Sequence, residues 1–516
     1  MEMFIKIALL VVFFGVMIGV GLYCRKHATD VNGFVLGGRS VGPWLTAFAY
    51  GTSYFSAVVF VGYAGQFGWK YGIAATWAGI GNALLGSLLA WVILGRRTRV
   101  MTQHLDSATM PQFFEQRFNS KALKIAASAV IFVFLIPYTA SLYNGLSRLF
   151  AMAFNIDYAV CVIVMAVLTG IYVIAGGYMA TAINDFIQGI IMLGGIVAVI
   201  ATVLHGQGGF LAALDKLGQV SDPAVSATPG VFASFFGPDP INLLGVVLLT
   251  SLGTWGLPQM VQKFYAIKSE QAISKGTIIS TIFALIVAGG CYFLGGFGRL
   301  FSDKIDIAAN GYDSVIPAML SDLPAILIAV VVILVLSASM STLSSLVLAS
   351  SSTLTLDFIK GNVIKNMDEK KQVLWMKGLI VVFIAISVAL AIVQYKSSVN
   401  FIAQMMGISW GALAGAFLAP YLYGLYWKKT TKAGCWISFI FSTVVMMANV
   451  LVRPSFPALL QSPINAGAFC MVAGLVLVPL VSLFTRKPDA KHIEYVFSCY
   501  DRKVTVTAKE SIGENR

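Results

Sequence analysis

Residues 337–353 read SASMSTLSSLVLASSST, inside an apolar stretch that carries no charge from Leu323 to Leu356. On a helix Ala338, Ser341, Thr342 and Ser345 fall at i, i+3, i+4 and i+7 and make one stripe, with Ser344 at its border. Such hydroxyls can line a contact face, each bonded to the preceding turn or to a neighbouring helix. Alternatively, together with carbonyls freed by a broken helix, they can supply the several oxygen ligands that a hard cation wants, without burying many carboxylates. A second segment could offer those carbonyls: AYGTSYFSAVVF at 49–60, where Gly51 permits unwinding. Negative charge would strengthen such a site, and Asp185 in ATAINDFIQGIIML is the conspicuous acidic residue inside the apolar stretches. A carboxylate at that depth is a functional candidate by default; the competing reading has Asn184 and Asp185 capping the end of a span.

The elements that must position these residues are membrane spans. The chain has 516 residues, 58% hydrophobic and 11% charged, and a soluble protein carries roughly twice that charged share. Apolar stretches long enough to cross roughly 30 Å of hydrocarbon fall at about 4–23, 42–69, 73–94, 124–152, 157–176, 181–204, 240–258, 275–299, 315–357, 377–395, 398–426, 432–452 and 464–485. Closed barrels show short alternating segments instead, so the class is all-α. The first stretch lacks a basic start and a small-residue cleavage site before Arg25, and is expected to stay as a helix. The second and seventh are interrupted, the seventh by TSLGTWGLPQ at 250–259. Broken helices five spans apart are what an inverted five-plus-five repeat produces, although glycine-mediated helix packing also accounts for each glycine.

Lys and Arg number 35 against 22 Asp and Glu, for a net charge of +13. The clusters are Arg25-Lys26, Arg96-Arg97-Arg99, Lys370-Lys371, Lys428-Lys429, Arg486-Lys487 and Arg502-Lys503. They fit a positive-inside pattern with the N-terminus outside and the C-terminus cytoplasmic. No basic patch with interleaved aromatics points to a nucleic acid. Cys24, Cys161, Cys291, Cys435, Cys470 and Cys499 have neither metal nor disulfide spacing and read as small core residues. His27, His104, His205 and His492 lie in loops or at span ends without metal spacing, which argues against a membrane-embedded enzyme. The segment 205–239 reads as a loop with a short amphipathic helix at 209–217. In 100–122, Thr109 before Met-Pro is either the start of a surface helix or part of a plain connector.

Taken in order, FVLGGRSVGPW (34–44), GTSYFSA (51–57), GGYMATAINDFIQG (176–189), GLPQ (256–259) and SASMSTLSS (337–345) resemble the sodium/solute symporter family across nearly the whole chain. TSYFSAVVFVGYAGQFGWKYG (52–72) and GLPQMVQKFYAIKS (256–269) are most similar to its bacterial pantothenate branch, with the proline branch beside it. The resemblance implies about thirteen transmembrane helices in a leucine-transporter-like fold. It divides the chain into a first helix and loop at 1–41, an inverted-repeat core at 42–426, two peripheral helices at 427–485 and a cytoplasmic tail at 486–516. The implied activity is sodium-coupled symport of a small organic solute, a carboxylate such as pantothenate or an amino acid such as proline, by a monomer in the cell (inner) membrane. The implied partners are that solute, sodium as the co-transported ion, and the lipid bilayer.

The same resemblance implies a main sodium site built from backbone oxygens of Thr52, Phe55 and Ala338 and the hydroxyls of Ser341 and Thr342. A second sodium site would use Asp185, Ser344 and Ser345, and the solute would sit near Tyr54, Thr254, Trp255 and Pro258. Departures matter too. Tyr54 stands where proline carriers have an acid, which leaves open a proton-coupled carrier of the same fold. Val58 and Val59 replace the polar pair of sugar carriers, an apolar wall that would strip sugar hydroxyls of water without compensation. Thr254 replaces an aromatic gate residue of several relatives. A sensor that no longer transports is the further alternative.

Overall fold

The structure, a computed structural model, describes residues 2–154, 157–360, 362–364, 366–396 and 402–501. The tail cluster Arg502-Lys503 lies outside them. Among the described residues the chain is helical, with isolated bridges in place of any strand. Among the described residues ten helices are long and apolar enough to cross a membrane, eleven if the bent pair Pro240–Gly256 and Pro258–Ala266 counts as one.

Two of the ten are double length. Val58–His104 runs 47 residues and Tyr158–Gly206 runs 49, about 70 Å at 1.5 Å per residue against the roughly 30 Å that one crossing needs. Each contains a glycine with positive φ, Gly72 at 62° and Gly177 at 55°. These breaks coincide with the boundaries expected between the second and third stretches and between the fifth and sixth. At Gly177 a Cβ would stand 2.8 Å from the Phe34 carbonyl oxygen, so both conformation and space exclude a side chain.

Burial sorts the helices into layers. Every residue from Leu334 to Thr353 is buried in the hydroxyl-rich helix Ala325–Thr353, and the helix Ile402–Tyr426 is also mostly enclosed. Apolar side chains on the first helix and on Lys432–Leu451 and Pro463–Phe484 face outward, as at Val11, Val444 and Phe484. That arrangement suits a lipid surround, where the core gains little from hydrophobicity and much from close packing of small residues.

Three expectations change in detail. The stretch 315–357 is divided, with a short helix Val315–Leu320 ending before the long one restarts beyond Pro324, because Asp322 and Pro324 interrupt the ladder. Thr109 does start a helix, Met110–Phe118, its hydroxyl accepting from the Gln112 amide at 3.3 Å. The loop helix runs Phe210–Gln219, and its loop is fastened by Arg299, which donates to the Trp69 carbonyl at 2.7 Å and to Asp222 at 2.9 Å. All six cysteines are buried, and none forms a disulfide among the described residues.

Replacing Gly177 by alanine forces a side chain into a φ/ψ region almost reserved for glycine, at a cost of about 1–3 kcal/mol. Gly177→Ala is therefore expected to lower the thermal midpoint of detergent-purified protein, while Gly194→Ala, with open space around it, leaves the midpoint unchanged. Equal midpoints for the two variants would contradict the constraint.

Candidate functional site

The helix Pro43–Tyr54 stops at Phe55, whose backbone is extended at φ −92° and ψ 126°. The chain resumes helical geometry only from Ala57 into Val58–Tyr63. Ending a helix releases carbonyls that the next turn would have bonded. Those of Thr52 and Phe55 meet the hydroxyl-rich helix: Ser341 Oγ donates to Thr52 O at 3.0 Å, and Thr342 Oγ1 lies 3.3 Å from both Thr52 O and Phe55 O. The same two hydroxyls lie 3.0 and 3.1 Å from Ala338 O on their own helix. The structure thus brings Thr52, Phe55, Ala338, Ser341 and Thr342 together as five neutral oxygens, all on buried residues. In an octahedral cage with metal–oxygen distances of about 2.3–2.6 Å, adjacent oxygens are about 3.3–3.7 Å apart, against 3.0–3.3 Å for the hydroxyl–carbonyl pairs here.

One turn along lies a second group. Asp185, Ser344 and Ser345 are buried as expected, but they do not share a vacant space. Ser344 Oγ turns back to its own helix, donating to Ser341 O at 2.8 Å. Lys263 occupies the centre, its Nζ donating to Ser345 Oγ at 2.9 Å and lying 3.7 Å from Asp185 Oδ2. Ser345 Oγ also shares a hydrogen bond with Ser53 Oγ at 2.8 Å. Among the described residues neither oxygen of Asp185 has a closer hydrogen-bonding partner.

Lys263 is brought there by the second break. Pro240–Gly256 and Pro258–Ala266 meet at Leu257 with a bend of 46°, and the shorter helix is pinned at its end. Arg39 donates to Tyr265 O at 3.2 Å and Ser107 O at 2.7 Å, Arg99 to Ile267 O at 2.5 Å, and Gln262 to Val35 O at 3.1 Å. Sequence reasoning missed Lys263 because it ended the apolar stretch at 258. The available signal was a lysine in GLPQMVQKFYAIKS at the spacing of a helix that restarts with Pro258 at its first turn.

The expected solute residues separate. The Tyr54 ring lies 6.2 Å from Trp410, which in turn meets Tyr138 edge-on at 5.9 Å. Tyr54 Oη, Ser56 Oγ, Tyr138 Oη, Trp410 Nε1 and both polar atoms of Gln259 are buried without a hydrogen-bond partner among the described residues. Thr254 and Trp255 are committed elsewhere: Thr254 Oγ1 is 2.9 Å from Gly86 O and from Ser251 O, and Trp255 Nε1 donates to Leu85 O at 2.9 Å. Pro258 opens the helix after the bend. Ser56, Tyr138, Gln259 and Trp410 were not foreseen, since an aromatic or amide within a span carries no sequence mark that separates ligand from core.

Comparison with known proteins gives a consistent result. The sequence profile of the sodium:solute symporter family matches residues 34–441. A sodium/proline symporter of Staphylococcus aureus strain JH9 is 30% identical over 499 residues, covering 93% of each chain, as is the one from strain N315. Among solved structures, a Na+-coupled sialic acid symporter in a substrate-bound outward-open state superposes with a TM-score of 0.73 at 16% identity, over 94% of this chain and 99% of that one. A nucleobase-cation-symport-1 family transporter in a closed conformation gives 0.50 at 14% identity, over 90% and 98%. The fold is that of the leucine-transporter-like carriers.

Breaking a buried ion pair by removing one partner leaves an uncompensated charge and costs about 3–5 kcal/mol, whereas replacing both with apolar groups is often neutral. With Lys263 and Asp185 both almost fully enclosed, Asp185→Ala is expected to lower the thermal midpoint in detergent by several degrees. The double variant Asp185→Leu with Lys263→Met should recover most of that loss. Additive losses would show that the pair does not act as a unit.

Proposed function

This chain belongs to the sodium:solute symporter family, and from that premise we propose how it carries out the sodium-coupled symport of a small solute. Sodium binds among Thr52 O, Phe55 O, Ala338 O, Ser341 Oγ and Thr342 Oγ1. The approach of the Ser341 and Thr342 hydroxyls to within 3.3 Å of carbonyls released at the Phe55 break is the observation that carries this reading. In the ion's presence the two hydroxyls turn their protons away and offer lone pairs, so sodium replaces hydrogen bonds that already join the helices.

An ion that binds only where the two helices meet stabilises that conformation and no other, which is what coupling by population shift requires. The solute then binds beside the break, against Tyr54 and Trp410, with Ser56, Tyr138 and Gln259 supplying hydrogen bonds and Pro258 presenting the positive end of its helix. Thr254 and Trp255, bonded to Gly86 and Leu85, hold the end of Pro240–Gly256 against its neighbour rather than meeting the solute. Those surroundings suit a small carboxylate, with proline, the solute named for the staphylococcal relatives, and pantothenate as the two leading candidates. The apolar Val58 and Val59 disfavour a sugar.

Division of the two double-length helices at Gly72 and Gly177 gives thirteen crossings, with breaks at Phe55 in the second and Leu257 in the seventh as the matching points of an inverted five-plus-five repeat in 42–426. The N-terminus lies outside and the C-terminus in the cytoplasm of a cell (inner) membrane, and the monomer is the transporting unit. Each sodium moving inward gains about 2.3 kcal/mol per 100 mV of membrane potential.

Uptake of radiolabelled proline and pantothenate into proteoliposomes tests this directly. Uptake should accumulate solute only with an inward sodium gradient. Losing a hydrogen-bonding partner to a charged group costs about 1.5–3 kcal/mol, so Ser341→Ala and Thr342→Ala should each raise the sodium half-saturation about tenfold or more. Sodium-indifferent uptake, or two variants at wild-type sodium affinity, would sink the assignment. Trp410→Ala should raise the solute half-saturation about tenfold while leaving sodium binding measured without solute within about twofold; an unchanged solute affinity would remove Trp410 from the pocket.

A further inference from the structure

Lys263 stands where the resemblance to relatives calls for a second sodium. It is 2% exposed, donates to Ser345 at 2.9 Å, lies 3.7 Å from a carboxylate oxygen of the fully buried Asp185, and sits 5.2 Å above the Tyr178 ring. Three helices contribute to this nest: the broken second span through Ser53, the hydroxyl-rich helix through Ser345, and the helix following Gly177 through Asp185. Each presents oxygen, and a carboxylate buried without hydrogen-bond partners demands a cation within reach.

We infer that the Lys263 ammonium is a tethered stand-in for a second sodium ion, and that it holds this carrier to one sodium per transport cycle. A lysine head is a compact point charge of one unit on a flexible stem. It neutralises Asp185, and its bond to Ser345 uses an oxygen that an ion in this nest would need. A sodium ion entering here would have to expel an ammonium whose chain cannot leave, or share the space with a like charge. Neither happens while Lys263 is in place, so the oxygens of Thr52, Phe55, Ala338, Ser341 and Thr342 remain the single exchangeable cation site. The tether has a mechanical side as well. Lys263 belongs to the helix after the second break, Ser53 to the helix before the first, and Ser345 to the enclosed helix between them. The ammonium therefore joins the two broken elements without depending on sodium concentration, where a second ion would join them only when bound.

This inference rests on the sodium site proposed above, and counting bound ions separates the two. Equilibrium binding of radioactive 22Na+ to the purified full-length protein in detergent, without solute, should give one sodium per wild-type chain. Lys263→Ala should give two, with the Hill coefficient for sodium rising from about 1 to about 2, and Lys263→Ala with Asp185→Asn should return to one. Lys263→Arg should stay at one. Ser341→Ala with Thr342→Ala should lose the wild-type ion; if it does not, the main-site assignment fails while the Lys263 comparison still stands. Two sodium ions in the wild type, or one in a Lys263→Ala protein that elutes as a single folded species, would overturn the inference. Thermal midpoints guard against misfolding: sodium chloride in place of choline chloride should raise the midpoint of Lys263→Ala, and of the closer-volume Lys263→Met, more than that of the wild type. An equal rise in all three would also overturn it.

Discussion

A backbone carbonyl left unpaired in hydrocarbon costs several kcal/mol, which is why membrane spans are ordinarily unbroken helices. This protein interrupts a helix at Phe55 in the middle of an apolar layer and meets the cost with side chains from another helix. Ser341 and Thr342 can do so only because the helix that carries them is enclosed from Leu334 to Thr353, so that its hydroxyls face protein rather than lipid. Close approach on the other side has the same origin. A Cβ at Gly51 would stand 2.4 Å from the Phe283 ring, and one at Gly189 would stand 2.3 Å from the Phe48 ring and 3.1 Å from the Thr52 methyl. The break, the hydroxyl row and the glycines are one device, in which each part removes a penalty created by another.

The buried charges follow a related logic. Asp185 is matched with Lys263, and Asp357, at the far end of the hydroxyl-rich helix, accepts from Thr109 at 2.7 Å, tying that helix to the start of Met110–Phe118. Four arginines serve the ends of helices. Arg97 and Arg117 donate to Leu425 O, Gly424 O and Trp427 O at the end of Ile402–Tyr426, while Arg39 and Arg99 serve Tyr265 O and Ile267 O at the end of Pro258–Ala266. Helix ends present unpaired carbonyls and partial negative charge, and the planar guanidinium satisfies them with several donors at once. Arg39, Arg97, Arg99 and Arg117 are thus the caps of the helices that end beside them.

How much of this was readable depended on whether a feature had a period. The stripe Ala338, Ser341, Thr342 and Ser345 follows from helical spacing, and the break at 51–57 from a glycine beside small polar residues in an apolar run. The meeting of those two segments, separated by nearly 300 positions, came through family resemblance, because no local pattern encodes a contact at that distance. The direction of a single hydroxyl was beyond reach: Ser344 faces its own helix and Ser345 faces a lysine. Lys263 and Trp410 escaped for opposite reasons. The lysine fell just past an apolar window that a bend had cut short, and the tryptophan lay well inside a window where aromatic residues are ordinary packing.

Geometry then links the oxygen cluster and the Lys263–Asp185 group more closely than their separate chemistry suggests. Thr52 and Ser53 are adjacent in the chain, and they reach Ser341 and Ser345, one turn apart, on a single helix. Neighbouring residues near a break cannot move independently, so a shift of the second span that loosens the Thr52 carbonyl from Ser341 also pulls Ser53 from Ser345 and from the ammonium bonded to it. Lys263 carries that displacement to the other broken element, which begins at Pro258 beside the orphaned polar atoms of Gln259. The enclosed helix, buried between the two breaks, is thus the common partner of both broken elements, through Ser341 and Thr342 to one and through Ser345 to the other.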